Sequence, residues 1–181
     1  MDQMTSQKIN REEQALIKSC VENDRLAQKT LFEKYKRAMY TICYQMLGNT
    51  DDAHDALQEG FINVFKSIRS FSGRGTLGSW IKTIIIRSAI KQLDLTSQTI
   101  DIDYAVEFEA PQWPNDIDGE ILEKAITLLP EKCRVVFLLI EVEEYSHKEV
   151  AEMLGIGIGT SKSQLHYAKK LLCEKLKHIY A

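Results

Sequence analysis

The sequence predicts an all-α fold of two small helical domains joined by an acidic linker, and three observations predict it. Apolar residues recur at spacings of three and four along most of the chain. Helix stop and start signals punctuate those runs at Gly48-Asn49, at Ser70 to Thr76 and at Pro130. Between residues 96 and 118 the periodicity fails and acids accumulate. No segment shows strand alternation supported by turn signals.

The elements follow in order. Ala15, Leu16 and Cys20 mark a first helix over Glu12 to Cys20. A second, from Ala27 to Leu47, carries Leu31, Phe32, Tyr35, Met39, Ile42, Cys43 and Met46 on one side. Gly48-Asn49 stops it, and Thr50-Asp51-Asp52 opens a third whose early acids suit the helix dipole. That helix runs through Ala53, Ala56, Leu57, Phe61, Val64 and Phe65 to a Ser/Gly loop, Ser70 to Thr76. The fourth spans about Leu77 to Leu93, with Trp80, Ile81, Ile84, Ile85 and Ala89 inward. Trp80, at helical spacing from Ile84, reads as core, and Phe71 in the loop is the more open aromatic. The stretch from 96 to 118 holds Pro111, Pro114, many acids and the scattered aromatics Tyr104, Phe108 and Trp113. It reads as an extended tether that docks somewhere through its apolar residues. Helical pattern resumes at Gly119 with Ile121, Leu122, Ala125, Leu128 and Leu129, and Pro130 suits the first position of a further helix. The expected domains are therefore 1–95 and 119–181, with 96–118 as linker.

Composition narrows the class. Of 181 residues 44% are hydrophobic and 27% charged, with only 9 Gly and 3 Pro, so a disordered, collagen-like or disulfide-scaffold chain is excluded. The apolar runs Ile84 to Ile86 and Val135 to Ile140 are too short to cross a bilayer, so no membrane insertion is expected. The N-terminus lacks the apolar core of a signal peptide, so a cytoplasmic protein is expected. Cys20, Cys43, Cys133 and Cys173 stand far apart with no CxxC and read as packed, reduced thiols, so no metal is expected.

The net charge of −3 argues on its face against nucleic acid, but the charge is unevenly placed. Between Lys91 and Lys124 there is no base and there are nine acids, which leaves 17 acids against 23 bases elsewhere. From Gly60 to Leu93 stand Lys66, Arg69, Arg74, Lys82, Arg87 and Lys91 with no acid. After Thr160 come Lys162, Lys169, Lys170, Lys175 and Lys177 against Glu174 alone. One such run is ordinarily a solvated face; two, separated by an acidic stretch, are harder to dismiss.

The strongest local signal is C-terminal. Ser146-His147-Lys148-Glu149 has capping-box spacing and opens a short helix with Val150, Ala151 and Leu154 inward. Gly155-Ile156-Gly157-Ile158-Gly159 makes a turn whose isoleucines can plug the gap between helices. Gly159 or Thr160 caps a longer basic helix with Leu165, Ala168 and Leu172 inward, as in a helix-turn-helix. Its outward residues are Lys162, Ser163, His166 and Tyr167, with Lys169 and Lys170 behind, types that reach phosphates and base edges. An αα-hairpin that binds protein has the same pattern.

The chain resembles the extracytoplasmic-function group of bacterial sigma factors, taken as the smallest members of the housekeeping sigma family. Asp52-Ala53-His54-Asp55-Ala56-Leu57-Gln58-Glu59-Gly60-Phe61 carries the likeness in the first half. Tyr145 to Ile156, then Gly159-Thr160-Ser161-Lys162-Ser163, carry it in the second, with Leu129-Pro130-Glu131 also in the family's style. The match covers about Leu26 to Leu93 and Ile121 to Leu176. Ser161 stands where the family usually has Val, Gln164 and Tyr167 replace commonly basic residues, Ser88 replaces Asn, and His54 replaces Glu.

The resemblance implies a transcription initiation subunit without a cofactor. It places the contact with core RNA polymerase on Asp52, Asp55, Gln58 and Glu59. It places the near promoter element on the loop Ser70 to Ser79 and the next helix, with Phe71, Arg74, Lys82, Arg87 and Lys91 against DNA. A basic, acid-free stretch suits a tracked single strand, and a loop pocket suits a base held out of the stack. The far element falls to Thr160, Lys162, Ser163, His166, Tyr167, Lys169 and Lys170 in the major groove. The acidic tether would lie in the RNA exit channel, and an anti-sigma factor is an expected partner.

Two other readings compete. His54-Asp55 resembles the metal-binding pair of a helical phosphohydrolase, but His147, His166 and His178 form no ligand-spaced cluster with it. The glycine-rich GIGIG lacks the Lys-Ser/Thr of a phosphate loop and follows a helix, so it is a turn and not an enzyme's site. A helix-turn-helix regulator acting without the polymerase remains open; it would bind promoter duplex alone.

Overall fold

A computed structural model describes residues 11–93, 113 and 117–180. The chain divides into two compact units, Met1–Gln92 and Leu93–Ala181. The proposed 96–118 linker lies outside the described residues apart from Trp113, Ile117 and Asp118. Among the described residues every regular element is helical, and no helix is long and apolar enough to cross a membrane.

The first unit holds α1 (Arg11–Val21), α2 (Arg25–Leu47), α3 (Thr50–Ser67) and α4 (Leu77–Gln92). Each boundary has a local cause. The Asp24 carboxylate accepts from the backbone N–H of Leu26 at 2.8 Å and of Ala27 at 3.3 Å, capping α2. Gly48, at φ +70°, ends it in the left-handed region and donates to Tyr44 O at 2.8 Å. One residue on, the Asn49 side chain accepts from Asp51 and Asp52 N–H and starts α3. Thr76 Oγ1 accepts from Ser79 N–H at 3.1 Å ahead of α4.

Leu31, Met39, Cys43 and Met46 of α2 close on Ala56, Phe61 and Val64 of α3 and on Leu77, Ile81 and Ile85 of α4, all buried. The α3–α4 contact is close because Gly60 has no side chain. A Cβ there would meet Ile85 Cδ1 at 2.5 Å and Ile85 Cα at 3.3 Å. Burial raises the thiol of Cys43 to about 12. Two expectations shift. Trp80 and Ile84 share a half-buried face instead of the core stripe. Phe71 packs against Trp80, ring centroids 5.5 Å apart.

The second unit holds α5 (Gly119–Thr127), α6 (Glu131–Phe137), α7 (His147–Leu154) and α8 (Ile158–Tyr180). Asp118 caps α5 by accepting from Glu120 N–H at 2.8 Å. Pro130 stands at the cap of α6, one residue before the position expected of it. Buried Arg134 reaches back to the carbonyls left over at the end of α5, donating to Thr127 O at 3.1 Å and Leu129 O at 3.4 Å. α6 runs on into a π-helical turn, Leu138–Val142, which the sequence pattern did not announce.

The capping box forms as expected: Ser146 N–H donates to Glu149 Oε2 at 2.8 Å, and Glu149 N–H to Ser146 Oγ at 3.3 Å. Gly155, at φ +66°, makes the turn, and Ile156 N–H donates to Ala151 O at 3.0 Å. α8 then begins at Ile158, so the turn is shorter than the five-residue GIGIG and Thr160 lies inside the helix. Ile158 is 48% exposed and plugs nothing.

The two helices of this motif are pinned to each other. His147 Nδ1, in the first turn of α7, lies 2.9 Å from the Oγ of wholly buried Ser161 on α8. Burial lowers the affinity of His147 for a proton, the charge of Lys162 lowers it further, Glu141 raises it, and Lys169 lowers it.

Two outcomes follow from this packing. Gly60→Ala gains about 1 kcal/mol of helix propensity and overpacks a filled site, which costs about 1–3 kcal/mol, so the net expectation is a lower Tm. Ile85→Val removes the nearest atom and should cost less stability in that background than in the natural chain, as denaturant titration of the double-mutant cycle reads. For His147 the folded-state pKa is depressed, so its contribution to stability is present above about pH 6.5 and is lost as pH falls. Thermal melts between pH 7.5 and 5.5 should lose less stability in His147→Gln than in the natural protein.

Candidate nucleic-acid and partner interfaces

α3 presents an acidic stripe. Asn49 holds its first turn, and Asp52, Asp55 and Gln58 project into water. Glu59 is half-exposed and pairs with Lys91 of α4 at 3.3 Å. Ile62, 52% exposed, continues the stripe one turn beyond Gln58 and Glu59. Helical spacing leaves Ile62 off the buried stripe of Ala53, Ala56, Leu57, Phe61, Val64 and Phe65, but nothing in the sequence marks it as part of a surface site. The His54 ring leans on Tyr40, centroids 4.7 Å apart, beside the same stripe.

The basic residues of α4 do not form one face. Lys82 and Lys91 are nine residues apart, about 2.5 turns at ~3.6 residues per turn, so they point to opposite sides. Arg87 and Lys91, both exposed, share a side; Lys82 is half-buried. The loop before α4 exposes Arg74 and leaves the Phe71–Trp80 pair half-buried, an apolar wall beside a cationic side chain.

On α8 the structure sorts the expected residues. Lys162, His166 and Lys170 follow one another at every fourth position and form one stripe, with Lys162 and Lys170 exposed and His166 half-buried. Tyr167 and Thr160 are also half-buried. Ser163 corrects the expectation of an outward residue: it is 3% exposed, and its hydroxyl donates to Gly159 O at 3.0 Å and Thr160 O at 3.2 Å. Lys169 is held by Glu141 of the π-helical turn at 2.8 Å, so its charge is partly spent within the unit. His166 binds a proton less readily than usual, through burial and then through Lys170 and Lys169. Electrostatically the stripe is a cationic surface with one neutral imidazole, able to take phosphate and to reach base edges.

The contact between His147 and Ser161 is what the sequence pattern does not reveal here. The available signal was a polar residue, Ser161, at an inward position, since a buried hydroxyl needs a partner. Among the described residues no group of three or more His, Cys, Asp or Glu could hold a metal ion.

Known proteins match both units. Residues 31–97 match the model for sigma-70 region 2, and residues 119–172 match that for sigma-70 region 4. The extracytoplasmic-function RNA polymerase sigma factor SigW of Bacillus subtilis is 28% identical over 179 residues, 90% of this chain and 96% of that protein. SigM of Mycobacterium tuberculosis, of the same description, is 25% identical over 174 residues, 93% of this chain and 87% of that one. In fold, the chain resembles the sigma factor RpoE in its co-crystal with the anti-sigma factor NepR from Bartonella quintana. The TM-score is 0.53 at 24% identity, over 82% of this chain and 96% of that one. These relatives are alternative sigma factors, so the placement in a housekeeping group does not hold. Region 2 with its acidic α3 stripe, followed by region 4 with its cationic helix-turn-helix, is the plan of a non-enzymatic initiation factor, and the chain belongs to the extracytoplasmic-function sigma factors.

Proposed function

We propose that the protein binds core RNA polymerase and directs promoter-specific initiation, reading the near element with the first unit and the far element with α8. The observation that carries this reading is the order of the two region matches, each with an exposed charged stripe of the appropriate sign. Asp52, Asp55, Gln58 and Glu59 would meet the polymerase. Asp52 and Asp55 project freely enough to meet a basic partner without repacking α3.

Phe71, Arg74, Arg87 and Lys91 would meet the near element, with Lys82 on a separate side. The half-buried Phe71–Trp80 pair offers an aromatic wall on which an unstacked base can lie. Lys162, His166, Tyr167 and Lys170 would meet the far element; Thr160 adds a hydroxyl near the N-terminus of α8, where a phosphate is favoured. We assign Ser163 and Lys169 supporting roles, through the first turn of α8 and through Glu141. The domains are taken as 1–95 and 119–181, with the acidic 96–118 stretch in the RNA exit path. The protein would act in the cytoplasm, and an anti-sigma factor is a proposed partner, as RpoE has in its co-crystal with NepR.

Two measurements test the assignment. Asp52→Lys with Asp55→Lys should weaken binding to core polymerase about tenfold or more, with only a small loss of Tm from the cation placed in the first turn of α3. Unchanged affinity in a fluorescence titration would contradict the interface. Lys162→Ala should lower far-element affinity of the polymerase complex by about 1–3 kcal/mol if the lysine meets a base, whereas Ser163→Ala, which removes only a bond within the first turn of α8, should cost clearly less. Equal losses in the two variants would put Ser163 back on the DNA face.

A further inference from the structure

α5 and α8 leave between them an apolar groove of about 390 Å³, lined by Ile121, Lys124, Ala125, Leu128, Lys175 and Ile179. Leu128 is 67% exposed and Ile179 54% exposed, so two large aliphatic side chains stand in water at one place. The groove uses the last third of α8. Lys175 lies five residues beyond Lys170, the end of the cationic stripe, ~7.5 Å along the helix and about 140° around it, so the groove opens on a different side of α8. The two charged residues that line it, Lys124 and Lys175, are both basic.

One segment of this chain, outside the described residues, has the complementary chemistry. Helical periodicity is absent here, but without flanking Gly or Asn turn residues the stretch still alternates: from Ile100 to Glu109 the even positions are Ile100, Ile102, Tyr104, Val106 and Phe108, all apolar. The odd positions are Asp101, Asp103, Ala105, Glu107 and Glu109, acidic but for the alanine. In an extended chain successive side chains point to opposite sides, so this pattern offers one apolar edge and one acidic edge. The nine Cα–Cα steps from Glu109 to Asp118 span up to ~30 Å, and α5, at nine residues, is only ~13 Å long. The segment can therefore turn back along α5.

We propose that residues 100–109 occupy the α5–α8 groove in the protein free of polymerase, apolar side chains against Leu128 and Ile179 and carboxylates beside Lys124 and Lys175. A covalent tether also gives the segment a millimolar effective concentration at the groove. A second copy is a poorer occupant. A symmetric pairing through this face brings Lys124 and Lys175 toward their own counterparts, and like charges repel.

Methyl NMR on the full chain tests the proposal. The Leu128 and Ile179 methyls should show nuclear Overhauser contacts to the rings of Tyr104 or Phe108. Both contacts should vanish in Ile102→Ser with Tyr104→Ser and Phe108→Ser, substitutions that leave every described helix intact. Lys124→Glu with Lys175→Glu should also abolish them, and adding Asp101→Lys with Asp103→Lys should restore them. Methyl positions that are the same in the natural chain and the triple-serine variant would overturn the proposal. So would contacts that grow with protein concentration, which would assign the groove to a second copy.

Discussion

The close approach of α3 and α4 at Gly60 is the constraint on which the first unit depends. A side chain at that position would have to displace Ile85 Cδ1 and press on Ile85 Cα, straining the buried layer formed by α2, α3 and α4. The same closeness sets the outward faces of α3 and α4 side by side. The acids of α3 and the exposed Arg87 and Lys91 of α4 are near enough for Glu59 and Lys91 to pair at 3.3 Å. An exposed pair of this kind adds little stability; what it records is that the acidic and basic surfaces adjoin.

The second unit reaches the same end by different means. Three of its helices, α5 to α7, are short, and the turn between α7 and α8 rests on a single left-handed residue, Gly155. Polar contacts also hold α8 in place: the His147–Ser161 bond to α7 and the Lys169–Glu141 pair to the π-helical turn. Arg134 does similar service for α5 by satisfying its terminal carbonyls from inside the core. The cationic stripe is thus the part of α8 left over after packing has claimed the rest, which is why Lys162, His166 and Lys170 face out and Ser163 does not.

Much of this was legible in the residues. Helix ends were readable because their causes are local: Gly48, Asn49, Asp118 and the Ser146 capping box each act within a few positions. The charge pattern was legible once the average of −3 was divided along the chain. What failed were inferences that need a three-dimensional partner. Ser163 was taken as outward because serine is polar, but a short hydroxyl can bond to the preceding turn of its own helix and be buried there. Lys169 finds Glu141, 28 positions away, across a π-helical turn with no sequence signature. Lys82 and Lys91 were grouped by proximity in sequence, although helical geometry alone separates them. By spacing alone Trp80 falls with the core, because spacing cannot tell the rim of a buried stripe from its centre.

The two units are expected to act together, and only on the polymerase. Transcription from a randomised promoter library by core enzyme, with and without the protein, measures this directly. With the protein, initiation should move to templates sharing two separated sequence elements, and Lys162→Ala should relax selection at the upstream one alone. Initiation without sequence selection in the presence of the protein, or tight specific binding to the duplex without polymerase, would contradict that expectation.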